Sequence, residues 1–208
     1  VLRRVESILR NHFLRACRTS TAILLAMMEI STDPALPFAL GIVLAWLAGV
    51  RVYLTLFGVG VAAHFGWMEL PQSLALAQSP WVLGVCATMA LIEFATDKIP
   101  GVDSVWDLAH TLVRIPAGAF LGGIALPTDG GEVSATGMAL GAAVAALSHG
   151  LKSGTRALIN TSPEPASNWT ASLAEDGLVV AAFWLAIAHP GWALLLLLAA
   201  TLTFIATI

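Results

Sequence analysis

Apolar residues in this chain run in long blocks, with polar residues gathered into two short segments between them. A hydrocarbon core roughly 30 Å thick is crossed by about 20 helical residues, so each block can be measured against one span. Two blocks are too long. Ala35 to Trp67 carries Arg51 as its only formal charge, and Gly177 to Ile208 carries none but contains the break His189-Pro190-Gly191. The first predicts two short helices meeting near Gly49 to Arg51, the second a hairpin turning at the Pro-Gly pair. Between them, Pro80 to Thr96, Val105 to Leu126 and Val133 to Leu151 each predict one span. The expected fold class is all-α: a polytopic transmembrane helical bundle of about seven membrane segments, some of them short or broken.

Helix starts support this division. Asp33-Pro34 and Ser79-Pro80 put a capping residue before a first-turn proline. Ser104 with Asp107, and Ser172 with Glu175, have the spacing of a capping box, in which a hydroxyl and a carboxylate satisfy orphan amides reciprocally. The polar segments are 97–107, reading DKIPGVDSVWD, and 152–176, reading KSGTRALINTSPEPASNWTASLAED. Two predicted spans separate them, so both are expected on the same membrane face, and Lys98, Lys152 and Arg156 incline that face to the cytoplasm. A weak internal repeat is also legible: Ala39-Leu40-Gly41 leads to Gly49-Val50-Arg51, and Ala139-Leu140-Gly141 leads to Gly154-Thr155-Arg156. It predicts a second helix break at Gly154 to Arg156, in the manner of transporters built from repeats with broken helices.

Composition sharpens the class. Charged residues make up 11% of the 208 positions and hydrophobic ones 58%, against about 25% charged in an ordinary soluble domain. A net charge of −3 speaks against a nucleic-acid partner, and two cysteines, Cys17 and Cys86, against a disulfide scaffold. Half of the basic residues, Arg3, Arg4, Arg10, Arg15 and Arg18, lie before Met27. Two readings of this extension, residues 1–27, stay open: untranslated upstream sequence, or an amphipathic segment lying on anionic lipid. Residues 28–208 are expected to form a single transmembrane domain.

The candidate chemistry sits at the polar segments. Glu93 and Asp97 are one helical turn apart at the end of a span, and Asp107, His110 and Arg114 follow at helical spacing in the next, with Asp103 in the connection. Glu93, Asp97, Asp103 and Asp107 are the oxygen ligands a divalent cation would want, and a buried carboxylate among them could equally hold a proton. No other cofactor is expected. Lys98, Lys152 and Arg156 supply the opposite charge, with Asn160 and Asn168 beyond them. They can neutralise the acids or, beside a helix start at Ser162-Pro163, bind phosphate or a lipid headgroup. Arg51 cannot shed its charge, so it requires a carboxylate, expected among Glu93, Asp97 and Asp103, or an interfacial position.

The runs Glu93 to Asp107, Asn160 to Trp169 and Ser172 to Asp176 resemble those of a family of bacterial integral membrane proteins catalogued as a domain of unknown function. The resemblance extends from Pro37 to the C-terminus, leaves the basic extension outside, and implies a multi-pass inner-membrane protein without implying an activity. The expected function is that of a permease handling a small solute or ion at Asp97, Lys98, Asp103, Asp107, His110, Lys152, Arg156, Asn160 and Asn168. The alternatives are a membrane-embedded enzyme or lipid-headgroup binder using the same cluster, with Asp107 and His110 as acid and base, and an accessory subunit without a ligand. Beyond the bilayer, the expected partners are that solute, ion or headgroup and a second copy of the chain in a homo-oligomer.

Overall fold

The computed structural model describes residues 35–126, 133–161 and 164–207. The basic extension, the Asp33-Pro34 start and the Ser162-Pro163 start lie outside the described residues. Within them the chain is all-helical: α1 (Ala35–Val50), α2 (Val52–His64), α3 (Pro80–Thr96), α4 (Val102–Gly122), α5 (Ala135–Ile159), α6 (Pro165–Ala188) and α7 (Pro190–Thr207). Short 3-10 turns cover Gln72–Gln78 and Gly123–Ala125. Val102–Ala125 and Ala166–Ala188 are long and apolar enough to cross a membrane, and α1, α2, α3 and α7 are shorter apolar helices.

The central element is α1, which packs against α4, α5, α6 and α7. Its sequence is apolar on every side, the signature of a helix enclosed by others. Val43, Leu44, Ala45, Leu47 and Ala48 are all inaccessible to solvent. The helix ends where predicted. Arg51 leaves helical geometry at φ −140° and ψ 81°, yet its N–H still reaches the Leu47 carbonyl at 2.8 Å. Its own carbonyl accepts from the Thr55 amide at 3.0 Å and the Thr55 hydroxyl at 2.8 Å. Both backbone groups of Arg51 itself are thus satisfied, which favours a break in an apolar setting.

The crossing of α4 and α5 is set by small residues. A Cβ on Gly141 would lie 2.7 Å from the Cα of Gly122, inside any tolerable contact. Gly118 and Gly122 face Gly137, Gly141 and Ala145, so the two backbones meet directly, as small residues four apart allow in membrane helices. At the other end of α4, Gly101 adopts φ +83°, a conformation costly for any residue with a Cβ. It turns the chain from α3 into α4.

Polar segment 152–176 is mostly helix, since α5 continues to Ile159 and α6 begins at Pro165. Two expectations are corrected. The repeat's second break is absent, because α5 runs uninterrupted through Gly154 to Arg156. Neither capping box forms: α4 starts at a Gly101 cap and α6 at a Glu164 cap, and Ser104, Asp107, Ser172 and Glu175 fall inside helices. The Ser79 cap does form, its hydroxyl accepting from the Val82 amide at 3.3 Å.

Candidate functional site

Helical spacing decides which side chains meet. On α4, Asp103, Asp107 and Arg114 are buried, while Val105, Leu108 and Leu112 are exposed on the other face. On α5 the buried face carries Ser148, His149, Lys152 and Arg156, and on α6 Asn168 and Ser172. These faces turn inward against the end of α3 and the Arg51 break. The result is a single chain of ion pairs through the interior.

Its course can be followed residue by residue. Arg114 pairs with Glu93 at 2.6 Å and Asp107 at 2.7 Å. Lys152 joins Asp107 at 3.1 Å to Asp97 at 2.8 Å, and also donates to the Val50 carbonyl at 3.3 Å. Asp97 pairs directly with Arg51, the partner its isolation demanded. Arg51 continues to Asp176 at 2.9 Å and Glu175 at 3.5 Å, and reaches the Ser172 hydroxyl at 3.1 Å. Arg156 meets Glu175 through both Nε at 3.0 Å and Nη2 at 2.9 Å, and lies 3.9 Å from Asp103. Lys98 closes the periphery, 3.9 Å from Asp176 and 3.2 Å from the Ser172 hydroxyl. Burial pushes its ammonium below the ordinary lysine value, with the Asp176 carboxylate pulling the other way.

Among the described residues every lysine and arginine belongs to this network. Five cations face six carboxylates: Arg51, Lys98, Arg114, Lys152 and Arg156 against Glu93, Asp97, Asp103, Asp107, Glu175 and Asp176. The formal balance is −1. Arg51, Arg114, Arg156, Glu93, Asp97, Asp103 and Asp107 are all at most 1% exposed. Such groups persist only when paired, because desolvation costs several kcal/mol per ion.

A polar shell holds the network in register. Asp103 Oδ1 accepts from the amides of Gly101 at 3.0 Å and Ser104 at 2.7 Å, and from Asn160 Nδ2 at 2.9 Å. Asn168 donates to Asn160 at 3.1 Å and accepts from Arg156 at 3.1 Å. The Gly101 turn and the two asparagines therefore fix one carboxylate. At the opposite end, Arg114 donates to His149 Nδ1 at 3.0 Å, and His149 Nε2 lies 2.8 Å from the Thr111 hydroxyl. A guanidinium can only donate, so in this contact Nδ1 is the acceptor.

All but one of the residues expected at the site converge here: Asp97, Lys98, Asp103, Asp107, Lys152, Arg156, Asn160 and Asn168, with Arg51 and Glu93. His110 does not join them. Its Nδ1 bonds the Trp106 carbonyl at 2.8 Å and its ring stacks on Trp106 with centroids 4.0 Å apart, so it is no partner for Asp107. Among the described residues no group of three or more His, Cys, Asp or Glu side chains is disposed to hold a metal ion. Glu93, Asp97, Asp103 and Asp107 are drawn apart onto guanidinium, ammonium and amide donors. Sequence reasoning missed Thr111 and assigned Ser172 and Glu175 to a cap, a role it also gave Asp107 beside its place at the site. The signal was present in the helical face formed by Asn168, Ser172, Glu175, Asp176 and Val179.

Beside the network lies a cavity of about 400 Å³ between α1, α5, α6 and α7. Its walls are mostly apolar, with Trp46, Val50, Leu151, Leu178 and Phe204 among them, and Lys152 and Glu175 bring the network to its edge.

A helical bundle whose outer face is apolar and whose interior carries its charges defines the class. The chain belongs to the family described as a domain of unknown function (DUF4126), which matches residues 38–208. No curated protein and no solved structure matches it.

Proposed function

We propose that the protein is a multi-pass protein of the bacterial inner membrane that acts as a permease, with the buried charge network and the cavity beside it as the site that handles a small solute or ion. The observation that carries this reading is the network itself, assembled around the helix break at Arg51. Ionisable groups inside an apolar bundle are expensive, and where they line pathways their cost is met by function. A broken helix brings backbone and charge together at such sites. The outward apolar side chains, including Trp81, Leu91, Val105, Leu108, Leu112, Leu196 and Leu202, support the bilayer as surroundings.

The test is solute movement into vesicles reconstituted with the purified chain. Asp107→Asn is expected to abolish flux while leaving a folded protein; flux preserved in that variant rejects the network as the site. A second reading has its own observation. Every described cation finds a carboxylate within the chain, which would suit a structural clamp in an accessory subunit without a ligand. That reading expects a stoichiometric partner to co-purify in mild detergent and no flux from the chain alone.

A further inference from the structure

We propose that the cavity between α1, α5, α6 and α7 binds an uncharged amphiphile dissolved in the bilayer: a hydrocarbon body with one hydrogen-bonding oxygen, which the Thr201 hydroxyl meets. This deepens the permease reading by naming the class of solute, and rests on that reading only for the claim that the molecule crosses the membrane.

The wall disfavours an ion, because its two ionic side chains are already spent. Lys152 pairs with Asp97 at 2.8 Å and Asp107 at 3.1 Å, and donates to the Val50 carbonyl at 3.3 Å. Both oxygens of Glu175 are held by Arg156, through Nε at 3.0 Å and Nη2 at 2.9 Å. With no unpaired counter-charge to meet it, an ion would forfeit its hydration on entry. Val50, Leu151, Leu178 and Phe204 instead suit hydrocarbon.

Thr201 supplies the polar contact. Helical threonines elsewhere in the chain return the hydroxyl to the carbonyl four residues back, as Thr88, Thr155, Thr170 and Thr203 do at 2.8 to 2.9 Å. Thr201 lines the cavity and is only 9% exposed, yet its hydroxyl has no hydrogen-bond partner among the described residues. The other hydroxyls of the wall are occupied: Ser148 donates to the Trp46 carbonyl at 2.8 Å, and Thr155 to the Leu151 carbonyl at 2.8 Å. The Trp46 indole N–H is also unpartnered, but it is sealed from solvent, which leaves Thr201 as the open group. A buried hydroxyl without a partner is costly, and an oxygen on the occupant, as donor or acceptor, satisfies it.

The space and its mouth both arise at the α6–α7 hairpin. Ala171 and Ala174 on α6 and Ala200 on α7 put small side chains where the two helices line the cavity. The volume of about 400 Å³ lies within the range of small-molecule pockets. Of the wall residues, Ala174, Leu178 and Ala200 are exposed on the outer apolar face, beside Leu173 and Leu202. A molecule entering there comes from hydrocarbon, where an uncharged amphiphile dissolves and an ion does not.

The test is photolabelling of the full chain in phospholipid vesicles by a hexadecanol that carries a diazirine on its chain, with the labelled peptides read by mass spectrometry. Saturable labelling of residues 171–178 and 200–204 is expected. Unlabelled hexadecanol should displace it at a bilayer mole fraction at least about tenfold lower than hexadecane, hexadecyltrimethylammonium or hexadecyl sulfate requires. That comparison uses the native chain alone. Thr201→Val should raise the hexadecanol required about tenfold and leave hexadecane unchanged, and Thr201→Ser should keep the native value, with thermal unfolding confirming that both variants are folded. Labelling that does not saturate, displacement by the alkane or by either ion equal to that by the alcohol, or native behaviour of folded Thr201→Val overturns the proposal. Flux assays separate it from the permease reading. If vesicles move another solute in an Asp107-dependent manner while the alcohol labels nothing saturably, the amphiphile inference falls and the permease stands. If the alcohol labels and competes as expected and nothing crosses, the inference holds and the permease falls.

Discussion

The two faces of α4 share one helix and are opposite in chemistry. Toward the bundle it presents Asp103, Asp107 and Arg114, none more than 1% exposed, and away from it Val105, Leu108 and Leu112, each 70% exposed or more. A water-soluble helix has the reverse arrangement, since burying apolar surface is what folds it. Here the apolar face gains nothing from the bundle, and α4 is held to it by ion pairs, hydrogen bonds and close backbone contact at glycine, beside the apolar packing around α1. The difference teaches where stability resides. Substitutions that strip the network of a cation should be severe, and those on the outer face mild in detergent even when drastic.

The largest effect is expected from Arg114→Met, which strands Glu93 in the interior and leaves Asp107 with Lys152 alone. Removing one member of a buried pair costs about 3–5 kcal/mol, so thermal unfolding in detergent should begin far below that of the native chain. Gly141→Leu comes next. It breaks the comparison at its other support, the α4–α5 crossing, and overpacking of this kind costs about 1–3 kcal/mol by the same readout. Gly101→Ala places a Cβ at φ +83° and should cost about 1–2 kcal/mol. Because that turn aims Asp103, it should also weaken any ligand effect at the network. Leu112→Ala on the outer face should change detergent stability by less than about 0.5 kcal/mol. A loss as large as that of Arg114→Met would mean that the outer face packs against protein.

Much of this was legible in the chain. The break at Arg51 followed from a lone arginine in a long apolar run, and Pro80 to Thr96 was bounded by its Ser79-Pro80 start and the first acidic residues after it. Arg51 needed a carboxylate, and Asp97 is the one it has. The errors share a cause. Ser104, Asp107, Ser172 and Glu175 match a capping pattern locally, but Arg51, Arg114, Lys152 and Arg156 compete for the same groups from distant parts of the chain. A buried guanidinium outbids a helix end, because an unpaired charge costs more than an uncapped amide. The polarity of segment 152–176 faces inward, which polarity alone cannot reveal. His110 has the spacing of a network member, yet aromatic stacking on Trp106 holds it aside.

The central claim is that the apolar face lies in lipid while the charges lie within. It is tested most directly by attaching a nitroxide label at Leu112→Cys, in a Cys17→Ser/Cys86→Ser background reconstituted into vesicles, and measuring its collisions with molecular oxygen and with a water-soluble nickel chelate. A lipid-facing position predicts frequent oxygen collisions and almost none with the chelate. Frequent collisions with the chelate would put Leu112 in water and contradict the account.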